Sequence, residues 1–441
     1  MSHQVEQLSP TELDTSLSKR VRTGIFEYLS SLRLFSKNAR LYLAGSFLMG
    51  VNFHLFQLLL NLYLKELGFA EGDIGLVASG RAIGMTIAAI PMAMLLSHIK
   101  LKPVLITGSI LLSIFSFLVS NSEILVLLIG FSVLSGISFS FFRVASGPFF
   151  MRNSTPVERT HLFSMAFGMM LLAGTFGSLF AGKIVVIIAS LTGDILLGYK
   201  YTLYLGVLSS FLALIPFGLV KAAPPSASEN RIIINLDQLK KRGAFYFKIS
   251  AANFTVGLGA GLIIPFLNLY FRDRFNQPPD RITFFYFLSH LVMIVGVMIG
   301  PILVKKFGLV RTVVFTQLAS IPFMLVLSFS QFLPLVIFAF IVRAGLMNIG
   351  VPLSTNLGME LSRKSEHGLV NALLMVAWTG SWMVSAALGG LLIEHYGYTI
   401  TINVTIIIYV FSALMFFHLF KNAETKKDGA PSWSVVTEEI D

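Results

Sequence analysis

The sequence predicts an all-α integral membrane protein, with twelve transmembrane helices in two six-helix bundles related by pseudo-two-fold symmetry. Three observations predict it. Long apolar runs recur through a chain that is 55% hydrophobic and only 12% charged, where a soluble domain carries about 25% charged residues. Lys and Arg are divided unevenly between alternate loops. One phrase is written twice, as NLYLKELGF at 61–69 and NLYFRDRFN at 268–276.

A spanning helix needs about 20 mainly apolar residues. Such runs occur at 41–64, 74–97, 103–120, 124–149, 162–190, 201–220, 249–271, 282–304, 309–329, 333–358, 369–393 and 400–420. Strands of a membrane barrel would alternate apolar and polar residues, and these runs do not. Residues 1–18 are mostly polar, and the first apolar run is too long for a signal-peptide core. The first span is therefore expected to direct its own insertion. The runs give an N-terminal segment (1–40), a first bundle (41–220), a linker (221–248), a second bundle (249–420) and a tail (421–441). Within 19–40, Ile25, Tyr28, Leu29, Leu32 and Phe35 fall at helical spacing between basic residues. That pattern fits a helix lying on the membrane surface, and equally a solvated segment before the first span.

The net charge of +11 raises nucleic-acid binding, but the placement of the charge excludes it. Of the 33 Lys and Arg, 24 fall in the termini and alternate loops on one side, 5 on the other and 4 within spans. The positive-inside rule then places both termini in the cytoplasm, as an even number of spans requires. A multi-pass protein of the cell membrane is expected, monomeric, with the lipid bilayer as its surroundings. There is no cysteine, no phosphate-binding GxxxxGK[ST] stretch, no metal cluster and no catalytic constellation. Neither an enzyme nor a cofactor is expected.

The repeat divides the chain. Asn61, Leu62 and Tyr63 return as Asn268, Leu269 and Tyr270 at an offset of 207, and Gly50 returns as Gly257. Ala181-Gly182 corresponds to Gly389-Gly390 at 208. Parallel repeats of this kind place a substrate site at their interface. Further stretches are NLYLKELGFAEGDIGLVASG from 61, TPVERTHLFSMAFG at 155–168, GTFGSLFAG at 174–182 and GGLLIEHYGY at 389–398. In this order and topology, over roughly 40–420, the chain resembles a major facilitator superfamily transporter. The resemblance implies alternating access to a central site. It has departures. The family's loop after the second helix, G-x-x-x-D-R-x-G-R-K, corresponds to AMLLSHIKLK at 93–102. There Ser97 replaces the acid, Lys100 replaces the second glycine and Lys102 keeps a base. The second copy, PILVKKFGLVR at 301–311, keeps Lys306 and Gly308, has Lys305 for the acid and carries Arg311 one place late. Both copies are candidate gating loops. The fifth helix also lacks the Gly-Pro pair of many drug antiporters.

Polar groups in hydrocarbon are costly unless satisfied or facing a wet cavity. Gly50, His54, Gln57 and Asn61 share one face of the first helix, and the matching face of the seventh holds Gly257, Gly261, Ile264 and Asn268. The face either lines a cavity or bonds between helices. Arg81, Arg143 and Arg343 lie within spans, and no Asp or Glu lies in the middle of one. Either an anionic substrate is the missing partner of these arginines, or they are structural. His54 and His290 are the candidates for proton coupling, with hydrogen-bonded packing as the competing reading. Trp378 and Trp382, one turn apart, could stack on a substrate or pack helices. The expectation is a secondary active transporter of a small solute, with an organic anion and proton coupling as the finer readings. The alternatives are a drug-like efflux antiporter and a non-transporting receptor or lipid-handling scaffold. The functional residues are expected where the copies disagree, His54 against Gly261 and Arg81 against Leu288.

Overall fold

The computed structural model describes residues 35–96, 99–153, 156–221, 242–363 and 366–424. Most of residues 19–40, residues 222–241 of the linker, Ser97 and the tail beyond 424 lie outside the described residues. Among those described the secondary structure is helical, because hydrocarbon offers the backbone no water and a helix satisfies its own N–H and C=O groups.

The elements are α1 (Lys37–Glu66), α2 (Glu71–Leu96), α3 (Leu101–Asn121), α4 (Leu125–Asn153), α5 (Pro156–Thr192) and α6 (Ile195–Leu212, extended by Leu214–Leu219). The second bundle starts with α7 (Gly243–Ile263), which passes through a 3-10 turn at Ile264–Phe266 into Leu267–Phe275. Then follow α8 (Pro279–Phe307), α9 (Leu309–Ala319 with Ile321–Phe329) and α10 (Leu333–Glu360). The last element, His367–Phe420, has 54 residues. At about 1.5 Å per residue it would be far longer than a hydrocarbon core of about 30 Å. It breaks at Gly397, with φ 76° and ψ 174°, a conformation that glycine adopts without steric cost. The parts before and after this break are α11 and α12, which completes twelve spans.

Several helices begin earlier than the apolar runs predict: α5 at Pro156 rather than 162, and α7 at Gly243 rather than 249. Apolar runs mark the hydrocarbon depth, whereas helical hydrogen bonding continues until a cap or a break stops it. Ser36 caps α1 by accepting from the Ala39 N–H at 3.2 Å, and Asp194 caps α6 through the Leu196 N–H at 2.8 Å.

The buried apolar side chains form three clusters. One lies at the end away from the Lys- and Arg-rich loops and joins both halves, with Leu59, Leu62 and Tyr63 packed together with Phe266, Tyr270 and Phe271. The other two lie at the basic end and stay apart. Tyr42, Phe142, Phe149 and Phe217 belong to the first half, and Tyr246, Ile249, Leu357 and Phe416 to the second. The halves thus share a core at one end and hold separate cores at the other.

The junction obeys the repeat. Asn61 Nδ2 donates to the Pro265 carbonyl at 2.6 Å, and Asn268 Nδ2 donates to the Leu58 carbonyl at 2.7 Å. Each member of one bond maps onto its counterpart in the other at the 207 offset. The tyrosines follow the same rule within their halves, Tyr63 donating to Ser120 O at 3.2 Å and Tyr270 to Leu327 O at 2.6 Å. Two helix crossings complete the junction, α5 on α8 and α2 on α11. Gly182 faces the Pro279 carbonyl in the first crossing, and Gly390 faces the Glu71 carbonyl in the second, too close in both for a Cβ. Polar pairs cover the junction: Arg272 Nη2 to Glu66 at 2.7 Å, Tyr398 OH to Asp273 at 2.6 Å, and the Gly72 N–H to Glu394 at 3.0 Å.

Asn61→Ala and Asn268→Ala are each expected to lower stability by about 1–3 kcal/mol, since each leaves a buried polar contact unmade. Thermal unfolding in detergent should show comparable losses; a large loss from one and none from the other would contradict the two-fold junction.

Candidate functional site

Just below the junction, toward the basic end, the halves face each other through two histidines. His54 of α1 and His290 of α8 meet with ring centroids 5.5 Å apart and planes at 86°. Gly174 of α5 makes room for both. A Cβ there would lie 3.0 Å from His290 Nε2 and 3.0 Å from His54 Cε1. Ser178, one turn along α5, donates to the Gly174 carbonyl at 2.7 Å and sits 3.4 Å from His290 Nδ1. The Ser178 hydroxyl thus stands within reach of the His290 ring, and the Nε2 edge of that ring faces Gly174.

Arg81 joins this group through an aromatic seat. Its guanidinium lies 4.5 Å from the Phe53 ring centroid and 5.7 Å from that of Phe139. Phe53 also makes an edge contact with His54 at 5.4 Å. The Arg81 Nε is buried and has no hydrogen-bond partner. A desolvated cation–π contact contributes about 0.5–2 kcal/mol, whereas burying an ion costs several. The aromatic seat alone therefore leaves Arg81 short of partners. Among the described residues, no carboxylate lies at this depth. Glu66, Glu71, Asp73, Asp273, Asp280 and Glu394 sit near the joined end, and Glu360 and Glu366 near the basic end.

The other predicted residues divide. Gln57, on the same face of α1 as His54, is exposed. Asn61 and Asn268 are buried and engaged in the junction. Arg343 is only 3% exposed and donates from Nη2 to the Tyr409 hydroxyl of α12 at 2.8 Å, a partner in its own half. Arg143 is exposed near the basic end of α4. Trp378 and Trp382 lie with ring centroids 6.0 Å apart on α11, and the Trp382 Nε1–H is buried without a partner. Thr86 of α2 donates to Thr379 of α11 at 2.8 Å, which ties the halves beside the tryptophans. Lys100, Lys102, Lys305, Lys306, Gly308 and Arg311 all lie at the basic end, away from the histidines. Gly308 ends α8 with φ 85°, and Lys306 lies 5.3 Å from the Phe307 ring centroid.

Sequence reasoning did not find Phe53, Phe139, Ser178, Thr86 or Thr379. A phenylalanine in a chain with 40 of them carries no signal of its own. Gly174 is legible as a helix-packing glycine, but its role between two histidines depends on α8, which belongs to the other half. The repeat offsets map His54, Gly174 and His290 onto Gly261, Trp382 and Ala82. Two imidazoles over a glycine on one side therefore correspond to one indole between small residues on the other.

The family profile of the Major Facilitator Superfamily matches residues 42–250 and 249–438. Several solved structures share the fold. A bacterial homologue of the human lysosomal transporter Spinster, inward-facing and unoccupied, superimposes with a TM-score of 0.72 at 13% identity, covering 89% of this chain and 99% of that one. A point variant of the nucleoside transporter NupG gives 0.71 at 14% identity, with 87% and 99% covered. The inward-open xylose transporter XylE from E. coli gives 0.68 at 14% identity, with 88% and 97% covered. No curated protein matches by sequence.

Gly174→Ala is expected to separate the two imidazoles and to destabilise by about 1–3 kcal/mol, as overpacking does. Gly177→Ala, whose new Cβ would meet nothing nearer than 3.9 Å, is the control. Equal losses of melting temperature in the two variants would contradict a specific role for Gly174.

Proposed function

The chain belongs to the Major Facilitator Superfamily, and from that membership we propose a secondary active transporter that moves a small organic anion across the cell membrane by alternating access. The coarse part is plain: it is a multi-span membrane protein with a transporter's fold, and transport is not enzymatic. The observation that carries the finer reading is Arg81, a cation on an aromatic seat of the first bundle, with an unpartnered Nε and, among the described residues, no carboxylate at its depth. Guanidinium forms strong, charge-assisted bonds to carboxylate or phosphate. An anion entering from the open side would supply the partner that the fold omits.

In this reading the basic end and both termini face the cytoplasm, as the positive-inside rule expects of Lys- and Arg-rich loops. With the shared core and the asparagine junction at the opposite end, the conformation is then inward-facing. Rocking the halves would break the junction outside and bring the two basic-end cores together. His54 and His290 are the coupling groups in this reading. They come from opposite halves, so their contact exists only while the outer end is closed. A proton on each would set like charges close together and favour separation of the halves, which links protonation to the change of access. One copy of the chain contains every group this mechanism uses.

In a thermal-shift screen of metabolites, anions are expected to stabilise the wild type, and Arg81→Ala is expected to lose that stabilisation. Stabilisation by cations alone would instead support a drug-like exporter. In proteoliposomes, uptake should follow an imposed pH gradient, and His290→Ala should lose that response while retaining exchange; indifference of the wild type would sink proton coupling. Binding without any flux would favour a receptor or scaffold. For topology, the cysteine-free chain permits single-site labelling from outside intact cells. Glu123→Cys should react with an impermeant maleimide and Ser226→Cys should not; the reverse would invert the orientation.

A further inference from the structure

The duplication predicts two like walls on either side of the two-fold axis, and the chain has made them unlike. One wall carries His54, Gly174 and His290 with Arg81 beside them on Phe53. The repeat-related positions carry Gly261, Trp382 and Ala82. Trp382 stacks obliquely with Trp378 one turn away. Gly257 packs against Trp378 and Ser381, and Gly261 against Ser385 and the Trp382 backbone. The small residues of α7 therefore hold α11 close from behind. The indoles stand beside the α2–α11 crossing that Thr86 and Thr379 tie together.

Like Arg343 Nε, two buried donors have no hydrogen-bond partner, one on each helix of the α2–α11 crossing: Arg81 Nε on α2 and Trp382 Nε1 on α11. One faces an aromatic seat beside titratable rings, and the other belongs to a paired indole surface. An anionic group supplies the acceptor that Arg81 lacks, and the indole pair offers a flat ring a face to pack on.

We propose that the central site takes organic anions bearing an aromatic ring, with the anionic group on Arg81 and the ring against Trp378 and Trp382. This rests on the anion-transport reading and adds the ring to it. Charge selects at the guanidinium, because an uncharged analogue leaves a desolvated cation without its partner. Shape selects at the tryptophans, because a saturated ring of similar size cannot present its flat face to an indole. A small aliphatic anion engages one wall only and binds weakly.

The test uses tryptophan fluorescence of the full-length protein in the Trp433→Phe background, so that only Trp378 and Trp382 report. The probes are benzoate and phenylacetate, with cyclohexanecarboxylate, benzamide and acetate as comparisons. Both aromatic anions are expected to quench the signal and to bind roughly fivefold or more tighter than cyclohexanecarboxylate, and tighter still than benzamide. Trp382→Leu should reduce the preference for benzoate over cyclohexanecarboxylate while keeping the preference for benzoate over benzamide. Comparisons among probes on the protein with both indoles intact stand even if Trp382→Leu does not fold. If cyclohexanecarboxylate binds as well as benzoate, the ring requirement is overturned while the anion reading survives. If benzamide binds as well as benzoate, the anion reading itself fails. Absence of binding by either aromatic anion at millimolar concentration overturns the proposal.

Discussion

The arrangement of the whole molecule depends on a pair of reciprocal amide hydrogen bonds on the two-fold axis. Asn61 reaches the Pro265 carbonyl and Asn268 reaches the Leu58 carbonyl. Both amides are buried, and hydrocarbon offers them no water, so the register of α1 against α7 is set wherever both can be satisfied at once. α7 contributes through its proline turn, which bends the helix where the Asn61 side chain arrives. Once that register is set, His54 stands two turns below Asn61 and meets His290, and Phe53 beside it seats Arg81.

The junction is strong enough to specify and weak enough to break. Interhelical hydrogen bonds in membranes average about 0.6 kcal/mol and reach about 1.7. The covering pair Arg272–Glu66 has side chains 27% and 26% exposed, in the range where an ion pair contributes about 1 kcal/mol or less. Together these polar ties amount to a few kcal/mol, comparable to what a ligand supplies by binding one conformation better than the other. A junction made of large apolar surface alone would lack this discrete register. A junction of fully buried ion pairs would leave uncompensated charges in hydrocarbon whenever it opened.

The two-fold relation separates scaffold from chemistry. Where the copies agree, the residues build the junction: the asparagines and the glycines facing Pro279 and Glu71 join the halves, and the tyrosines bonded to Ser120 and Leu327 brace each half behind them. Where they disagree, the residues line the interface: His54 against Gly261, Trp382 against Gly174, His290 against Ala82. Symmetric positions are constrained by contacts made on both sides of the axis. A solute lying across the axis sees each wall separately, so only the lining is free to diverge.

By itself the sequence determined the class, the twelve spans and the duplication, because apolar run length, Lys and Arg placement and a constant offset are properties of the chain read in one dimension. It also singled out a few polar groups as candidates, since a charge without a counter-charge in a span is visible as composition. The break at Gly397 was foreshadowed by the two apolar runs on either side of it. The tertiary structure decided how those groups are used. Asn61 and Asn268, open to either cavity lining or interhelical bonding in the sequence, are buried in the junction and bond between helices. Arg343 turns to Tyr409 within its own bundle, while Arg81 is left on Phe53 and Phe139. Gly174 matters because α8 from the other half brings His290 against it. Each of these depends on which helix of one half faces which helix of the other, a relation between segments far apart in the chain that no local pattern encodes.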